Sequence, residues 1–326
     1  MICLRKGWRK IVKQSAKKTG LKFGASAMFA TGITLASRFD LAISAALAGL
    51  TETENAFTLT VPKFAALLEI IGEWAPSLLA ASSVLIVGQE CAELYTKKEA
   101  VSKLASFVPT TVLMAYATSK TMEYLHYHLT GAIGAAMIAG IAFTVSAILY
   151  LLIGRIPDEV RKKIFLPAAY TLAASFCVMM SICTIKSLWG RVRLRELVNM
   201  NSLADFTPWY HPKFFSGSHS FPSGHTAHAT LLMMLPTWLF GKGLKYRSAL
   251  TALCAVFVAL MAFSRLAAGA HFLSDILFGF LIAFGITEFT KKCHSRHDDT
   301  LKQVKRLTVW LEKEIFSHLK TSISAN

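Results

Sequence analysis

Three runs decide how this chain is read: Lys186-Ser-Leu-Trp-Gly-Arg-Val-Arg193, Pro222-Ser-Gly-His225, and Ser264-Arg265-Leu-Ala-Ala-Gly-Ala-His271-Phe-Leu-Ser-Asp275. Each is a short polar insert beside long apolar segments. Lys186, Arg193 and Arg265 supply fixed positive charge, and the guanidinium forks suit a bidentate grip on phosphate oxygens. His225 and His271 can transfer protons or act as nucleophiles. Pro222, Ser223 and Gly224 end a loop just before an apolar helix, so backbone N–H groups and the positive end of the helix dipole are expected to face an anion. His271 and Asp275 stand at i and i+4; on a helix they would share a face, with the carboxylate holding one imidazole nitrogen and the other pointing at phosphorus.

Outward from these runs, the sequence is that of a membrane protein. Of its 326 residues 54% are hydrophobic and only 17% charged, which excludes an ordinary soluble domain. The formal charge of +16 is carried by short basic clusters between apolar runs. It fits positive-inside topology better than nucleic-acid binding, and no nucleic-acid module, dinucleotide fingerprint or Walker loop accompanies it. Cys3, Cys91, Cys177, Cys183, Cys254 and Cys293 are scattered without paired spacing, so neither a disulfide framework nor a zinc site is read.

Residues 1–22 are basic, without an acid, and lead into an apolar run ending near Ala36; this reads as a retained signal-anchor with its basic side in the cytoplasm. Residues 40–73 hold Glu52, Glu54, Glu69 and Glu73 and are expected along the outer interface. Further spans are read near Trp74–Val87, Ala105–Leu125, Gly131–Gly154, Ile164–Ile185, Thr226–Phe240, Ala249–Phe263 and Phe272–Phe289. The expectation is eight spans with both ends inside and all three runs at the outer face. Residues 23–163 would form the N-terminal helices, 164–290 a catalytic core, and 291–326 a cytoplasmic tail. In that tail Leu301, Val304, Leu307, Leu311, Ile315 and Leu319 repeat at helical spacing. They predict an amphipathic helix on the membrane surface, with self-association into a homo-oligomer as the second reading.

The three runs, in this order, resemble the signatures of the type 2 phosphatidic acid phosphatase superfamily, lipid phosphate phosphatases that share a site plan with vanadium haloperoxidases. Lys-x6-Arg-Pro is met by Lys186 and Arg193, with Leu194 in place of the proline; the other two match at every position. The resemblance covers residues 186–275. It implies an all-α, polytopic helical fold and a site needing no metal or cofactor. His271 would be the nucleophile, forming a phospho-histidine, and His225 would protonate the leaving oxygen. Asp275 would orient His271. Lys186, Arg193, Arg265, the Ser223 hydroxyl and the Gly224 backbone would hold the phosphate oxygens. Leu194 leaves open which of Arg191, Arg193 and Arg195 contacts phosphate, spacing favouring Arg193; Arg191 and Arg195 otherwise read as snorkelling or headgroup-binding charges. His228, one turn from His225, reads as a polar neighbour with a second acid as the alternative. His211 and His219 read as solvated loop histidines, and Glu73-Trp74 as an interfacial anchor.

The function expected is hydrolysis of a lipid phosphate or diphosphate at the outer face of the inner (cytoplasmic) membrane. Undecaprenyl diphosphate, phosphatidylglycerol phosphate, phosphatidic acid and a phosphorylated lipid A all fit. Two readings compete. A lipid phosphotransferase would use the same residues and pass the phosphoryl group to an alcohol. A transporter or channel would bind the anion without cleaving it, and would have no need of two histidines or a His-x3-Asp pair.

Overall fold

Apolar runs of about 20 residues with few charges can satisfy their backbone in an apolar medium only as helices or closed barrels, and this chain, about 80% helical, takes the helical route. The computed structural model describes residues 26–54, 56–95, 99–125, 131–239 and 243–323. The basic segment 1–22, the histidines His126 and His128, and the cluster residues Lys97, Lys98 and Lys242 lie outside them. Helix α1 covers 26–47, and a short antiparallel hairpin follows, β1 (Leu50–Glu52) pairing with β2 (Phe57–Leu59). Then come α2 (Lys63–Tyr95), α3 (Glu99–Tyr124), α4 (Gly131–Gly154), α5 (Asp158–Trp189), α6 (Leu194–Asn199) and α7 (Gly224–Thr230). α7 continues as a 3-10 segment, Leu231–Trp238, and α8 (Leu244–Ala267) and α9 (Leu273–Ile323) complete the order.

Five of these helices, α2, α4, α5, α8 and α9, contain stretches long and apolar enough to cross a membrane. Eight crossings were expected, and the remaining candidates fall outside that criterion for visible reasons. α1 carries Arg38 and Asp40; α3 carries Glu99, Lys103, Lys120 and Glu123; α7 is seven residues long. Residues 40–73, expected as one interfacial segment, are divided among the end of α1, the hairpin and the first turns of α2. The repeat over 301–319 falls within α9, which runs as one helix to Ile323.

Small residues set the packing that positions the site. Ala174, Val178 and Ile182 on α5 meet Ala227 and Leu231 on the α7 segment and Ala283 on α9, so these three backbones approach closely. Leu194 and Leu197 of α6 pack with Ala48 and Phe272, seating the loop after α5 against the end of α1 and the start of α9. Trp189 Nε1 donates to the Trp209 carbonyl, and Trp209 Nε1 donates to Ser37 Oγ, which pins the long polar loop to α1. Ile133, Phe143, Leu151, Leu253 and Phe263 are exposed on helix surfaces, as a lipid-facing exterior requires.

Two glycines are fixed by close approach. Gly190 ends α5 with φ 64°, and a Cβ there would overlap the Lys213 carbonyl. Gly279 lies on α9 where a Cβ would overlap the Ser223 carbonyl oxygen, so only glycine lets that loop rest on the helix. Gly279→Ala is expected to destabilise the folded protein by about 1–3 kcal/mol through overpacking. The check is a fall in melting temperature of the detergent-purified protein.

Candidate active site

The loop that links α5 to α6 brings the first run to the end of the bundle where α7 and α9 begin and α8 ends. Backbone hydrogen bonds then join the runs to one another. Ser220 N donates to Arg191 O at 2.8 Å, Ser223 N to Asp275 O at 2.8 Å, and Arg195 N to Gly269 O at 2.9 Å. A cavity of about 350 Å³ opens at this junction. Lys186, Arg193, Gly224, His225, Arg265 and His271 all line it, with Arg195, His219 and His228.

Arg191 is not there. Its guanidinium is 1% exposed and heavily engaged: Nη2 donates to Asp40 Oδ2 at 2.7 Å, Nη1 to Asp275 Oδ1 at 2.6 Å and to Ser274 Oγ at 2.7 Å, and Nε to the Thr207 carbonyl at 2.8 Å. The Phe272 ring covers it, 4.2 Å from the guanidinium carbon. Arg191 is thus absent from the cavity lining, and four of its five N–H groups are committed to these acceptors, unlike the alternative in which it touches phosphate. Arg193 presents the opposite case. It caps α6, its backbone N–H accepted by Glu196 Oε2 at 3.1 Å and its Nη1 paired with Glu196 Oε1 at 3.3 Å, while its Nε is buried without a hydrogen-bond partner among the described residues. Arg195 also lines the cavity but is more exposed and stands 3.8 Å from Glu69.

Asp275 is buried and saturated. Besides Arg191, it accepts from Ser220 Oγ at 2.6 Å and from the Phe272 backbone N–H at 2.9 Å. His271 Nδ1 stands 3.6 Å from Asp275 Oδ2, within ion-pair range and longer than a hydrogen bond. Contacts of this kind are often long before substrate binds and tighten afterwards. The shared helical face expected for the two residues is not how they meet: α9 begins at Leu273, and His271 sits in the loop ahead of it. The Phe272 N–H bond to Asp275 folds that loop back over the first turn instead. With Nδ1 toward Asp275, Nε2 is the nitrogen left for the cavity. Burial pushes the His271 imidazole well below the ordinary histidine range, with Asp275 pulling the other way, so it is neutral at physiological pH.

Ser223 takes a supporting place. It is fully buried as the cap of α7, its Oγ accepting from Thr226 N at 3.4 Å and lying 3.0 Å from Thr226 Oγ1, while Gly224 reaches the cavity beside Lys186. Lys186 Nζ donates to the His219 carbonyl at 2.8 Å, which explains why His219, expected to be a solvated loop residue, lines the cavity. His228 is there as a polar neighbour one turn below His225.

Several residues at the site have no place in the three runs. Asp40 on α1 holds Arg191. Glu69 and Glu73 on α2 enter the cavity: Glu69 Oε1 is 2.7 Å from Arg265 Nη1, and Glu73 Oε1 is 3.3 Å from His225 Nε2. Tyr124 on α3 donates to Glu73 at 3.0 Å. Glu73, expected to be an interfacial anchor, is thus a site residue. The available signal was an acid in an apolar helix, which is costly unless it has a partner.

Comparison with known proteins adds one finding. Residues 165–299 match the family model of the PAP2 superfamily, consistent with a member of the type 2 phosphatidic acid phosphatase superfamily. Its members are phosphatases acting on phosphate esters, in general without a metal. No curated protein and no solved structure matches the chain.

The two arginines should separate in experiment. Arg191→Ala leaves Asp40 and Asp275 buried without their cation and is expected to cost about 3–5 kcal/mol of stability, read as loss of folded protein or a large drop in melting temperature. Arg193→Ala should fold normally and lose at least about tenfold in kcat/KM, in keeping with a charge-assisted contact of about 1.5–3 kcal/mol.

Proposed function

We propose that the chain is an integral membrane phosphatase that hydrolyses a lipid phosphate or diphosphate at the outer face of the inner membrane. The observation that carries this reading is the convergence of two histidines with Lys186, Arg193 and Arg265 on one cavity at the end of a helical bundle. Two buried groups with no hydrogen-bond partner among the described residues, Arg193 Nε and His225 Nε2, suit a bound anion. The cavity has room for a phosphate and the first atoms of its alcohol. A hydrocarbon chain would lie outside it, against the apolar helices. Exposed Phe214, Phe215 and Tyr210 on the long loop suit the headgroup region.

In the first step Nε2 of neutral His271 attacks phosphorus, the P–N bond forms as the bond to the leaving oxygen breaks, and His225 gives its proton to that oxygen. Water then attacks phosphorus, giving a proton to His225 as the new P–O bond forms and the P–N bond breaks; the electron pair returns to His271 Nε2 and inorganic phosphate leaves. Lys186, Arg193 and Arg265 stabilise the equatorial oxygens as charge redistributes. Undecaprenyl diphosphate, phosphatidylglycerol phosphate, phosphatidic acid and a lipid A phosphate remain the substrate classes. The basic connections between spans support a cytoplasmic location for both termini.

The test is phosphate release by detergent-purified protein, with chelator present, from a panel of those lipids. Release lost in both His271→Ala and His225→Ala supports the mechanism, and the preferred lipid defines the substrate. Release that survives His271→Ala sinks it, and a phosphorylated alcohol in place of free phosphate favours the transferase. The pH profile gives a second check. His271 must be neutral to attack and burial favours its neutral form, so the acidic limb of kcat/KM should lie below the ordinary histidine value of about 6.5. Asp275→Asn removes the charge that favours protonation of His271. That limb should move further toward acid while kcat falls by about 10²–10⁴, since orientation of the imidazole is lost as well.

A further inference from the structure

α2 precedes the segment that carries the three runs, and the phosphatase mechanism does not call on it. Yet it places two carboxylates in the cavity. Glu69 is matched by Arg265 at 2.7 Å. Glu73 is not matched in this way: it is 7% exposed, and among the described residues its ion-pair partner is His225 alone. Its Oε1 accepts from Tyr124 Oη at 3.0 Å and lies 3.3 Å from His225 Nε2. Lys120 and Arg265 act on this carboxylate from beyond ion-pair distance, whereas an imidazolium on His225 would supply a countercharge at 3.3 Å.

The surroundings of His225 sharpen the point. Arg265 on α8, Lys186 on α5, His271 before α9 and His228 on α7 face the same cavity, and any positive charge on them opposes a proton on His225. From α3 come the phenol of Tyr124, bonded to Glu73, with Tyr116, and at the rim Lys120, paired with Glu123 at 2.7 Å. Glu69 on α2 is tied to Arg265. Burial also disfavours a proton on His225, and Glu73, 3.3 Å from Nε2, is its ion-pair partner among the described residues. His225 Nε2 makes no hydrogen bond in this arrangement, so the carboxylate acts on it by charge and leaves the N–H free for the substrate.

We propose that Glu73 is a positioning residue that holds the proton on His225 until the leaving-group oxygen takes it, with Tyr124 fixing the carboxylate. This rests on the reading of His225 as the general acid. Glu73 transfers no proton in this scheme: the proton passes from His225 Nε2 to the leaving oxygen, and water later returns one to His225.

The experiment compares wild type and Glu73→Gln on an alkyl phosphate, whose leaving oxygen needs a proton, and on p-nitrophenyl phosphate, whose leaving group departs without one. Gln keeps the size and the acceptor for Tyr124 but removes the charge. For Glu73→Gln, kcat on the alkyl ester should fall about 10²-fold or more, in the range of general acid catalysis. KM should barely change, the basic limb of the pH profile should move to lower pH, and the aryl ester should be cleaved at close to the wild-type rate. Glu73→Asp should restore part of the basic limb, and Tyr124→Phe should shift it less, in the same direction. In a His225→Ala background Glu73→Gln should have no further effect. Equal losses on both esters with an unmoved basic limb, or an additive loss in the His225→Ala background, would overturn the role of Glu73 while leaving the phosphatase intact. A wild type that releases phosphate from neither ester overturns both readings.

Discussion

Arg191 and the two carboxylates it joins, Asp40 and Asp275, are the constraint on which the site depends. The guanidinium is buried between α1, the loop after α5 and the first turn of α9, and each N–H it directs there has an acceptor. Removing two acids and a cation from water is expensive, and mutual attraction offsets that cost only when geometry and hydrogen bonding are complete. Here they are: Asp40 also accepts from the Ser274 backbone N–H at 2.9 Å, and Asp275 from Ser220 and Phe272. The network leaves Asp275 no freedom to turn, so the oxygen facing His271 is set by a structure three elements deep.

This arrangement divides the cations into two kinds. Arg191 is consumed by structure. Arg193, two residues on, turns the other way because α6 begins there; its Nη1 pairs with Glu196 at 3.3 Å, and its buried Nε has no hydrogen-bond partner among the described residues. Arg265 is intermediate, 0% exposed and held by the Ala65 carbonyl at 2.9 Å and by Glu69, yet facing the cavity. A site of fixed guanidinium groups held by fixed acids is organised before an anion arrives, and such electrostatic preorganisation is what phosphoryl transfer requires of a protein. Glu69 on α2 is part of that organisation, so the first helices contribute to the site as well as to membrane residence.

The legible part of this site was the part written as spacing. Lys186, Arg193, His225, Arg265 and His271 were identified from three short runs, because residue type and separation along the chain carry their chemistry. The same logic failed where partnership is remote. Arg191 and Arg193 are alike in sequence, two positions apart in one loop, and only the location of Asp40, 151 residues earlier, separates their roles. Glu73 looked like one more acid near a membrane surface, since nothing local links α2 to α7. His271 and Asp275 meet as their spacing suggested, but through a loop bonded back onto α9 rather than along a helix.

Composition and hydropathy by themselves determined a helical membrane protein, because an apolar medium leaves the backbone few other ways to satisfy its hydrogen bonds. Motif order named side chains from three separate runs that come to line one cavity. Tertiary structure decided which charge pairs with which, since desolvation makes each buried ion depend on a partner that the linear order does not name. It also decided what lines the cavity and the burial that favours the neutral form of His271, both consequences of what packs around the three runs rather than of the runs themselves.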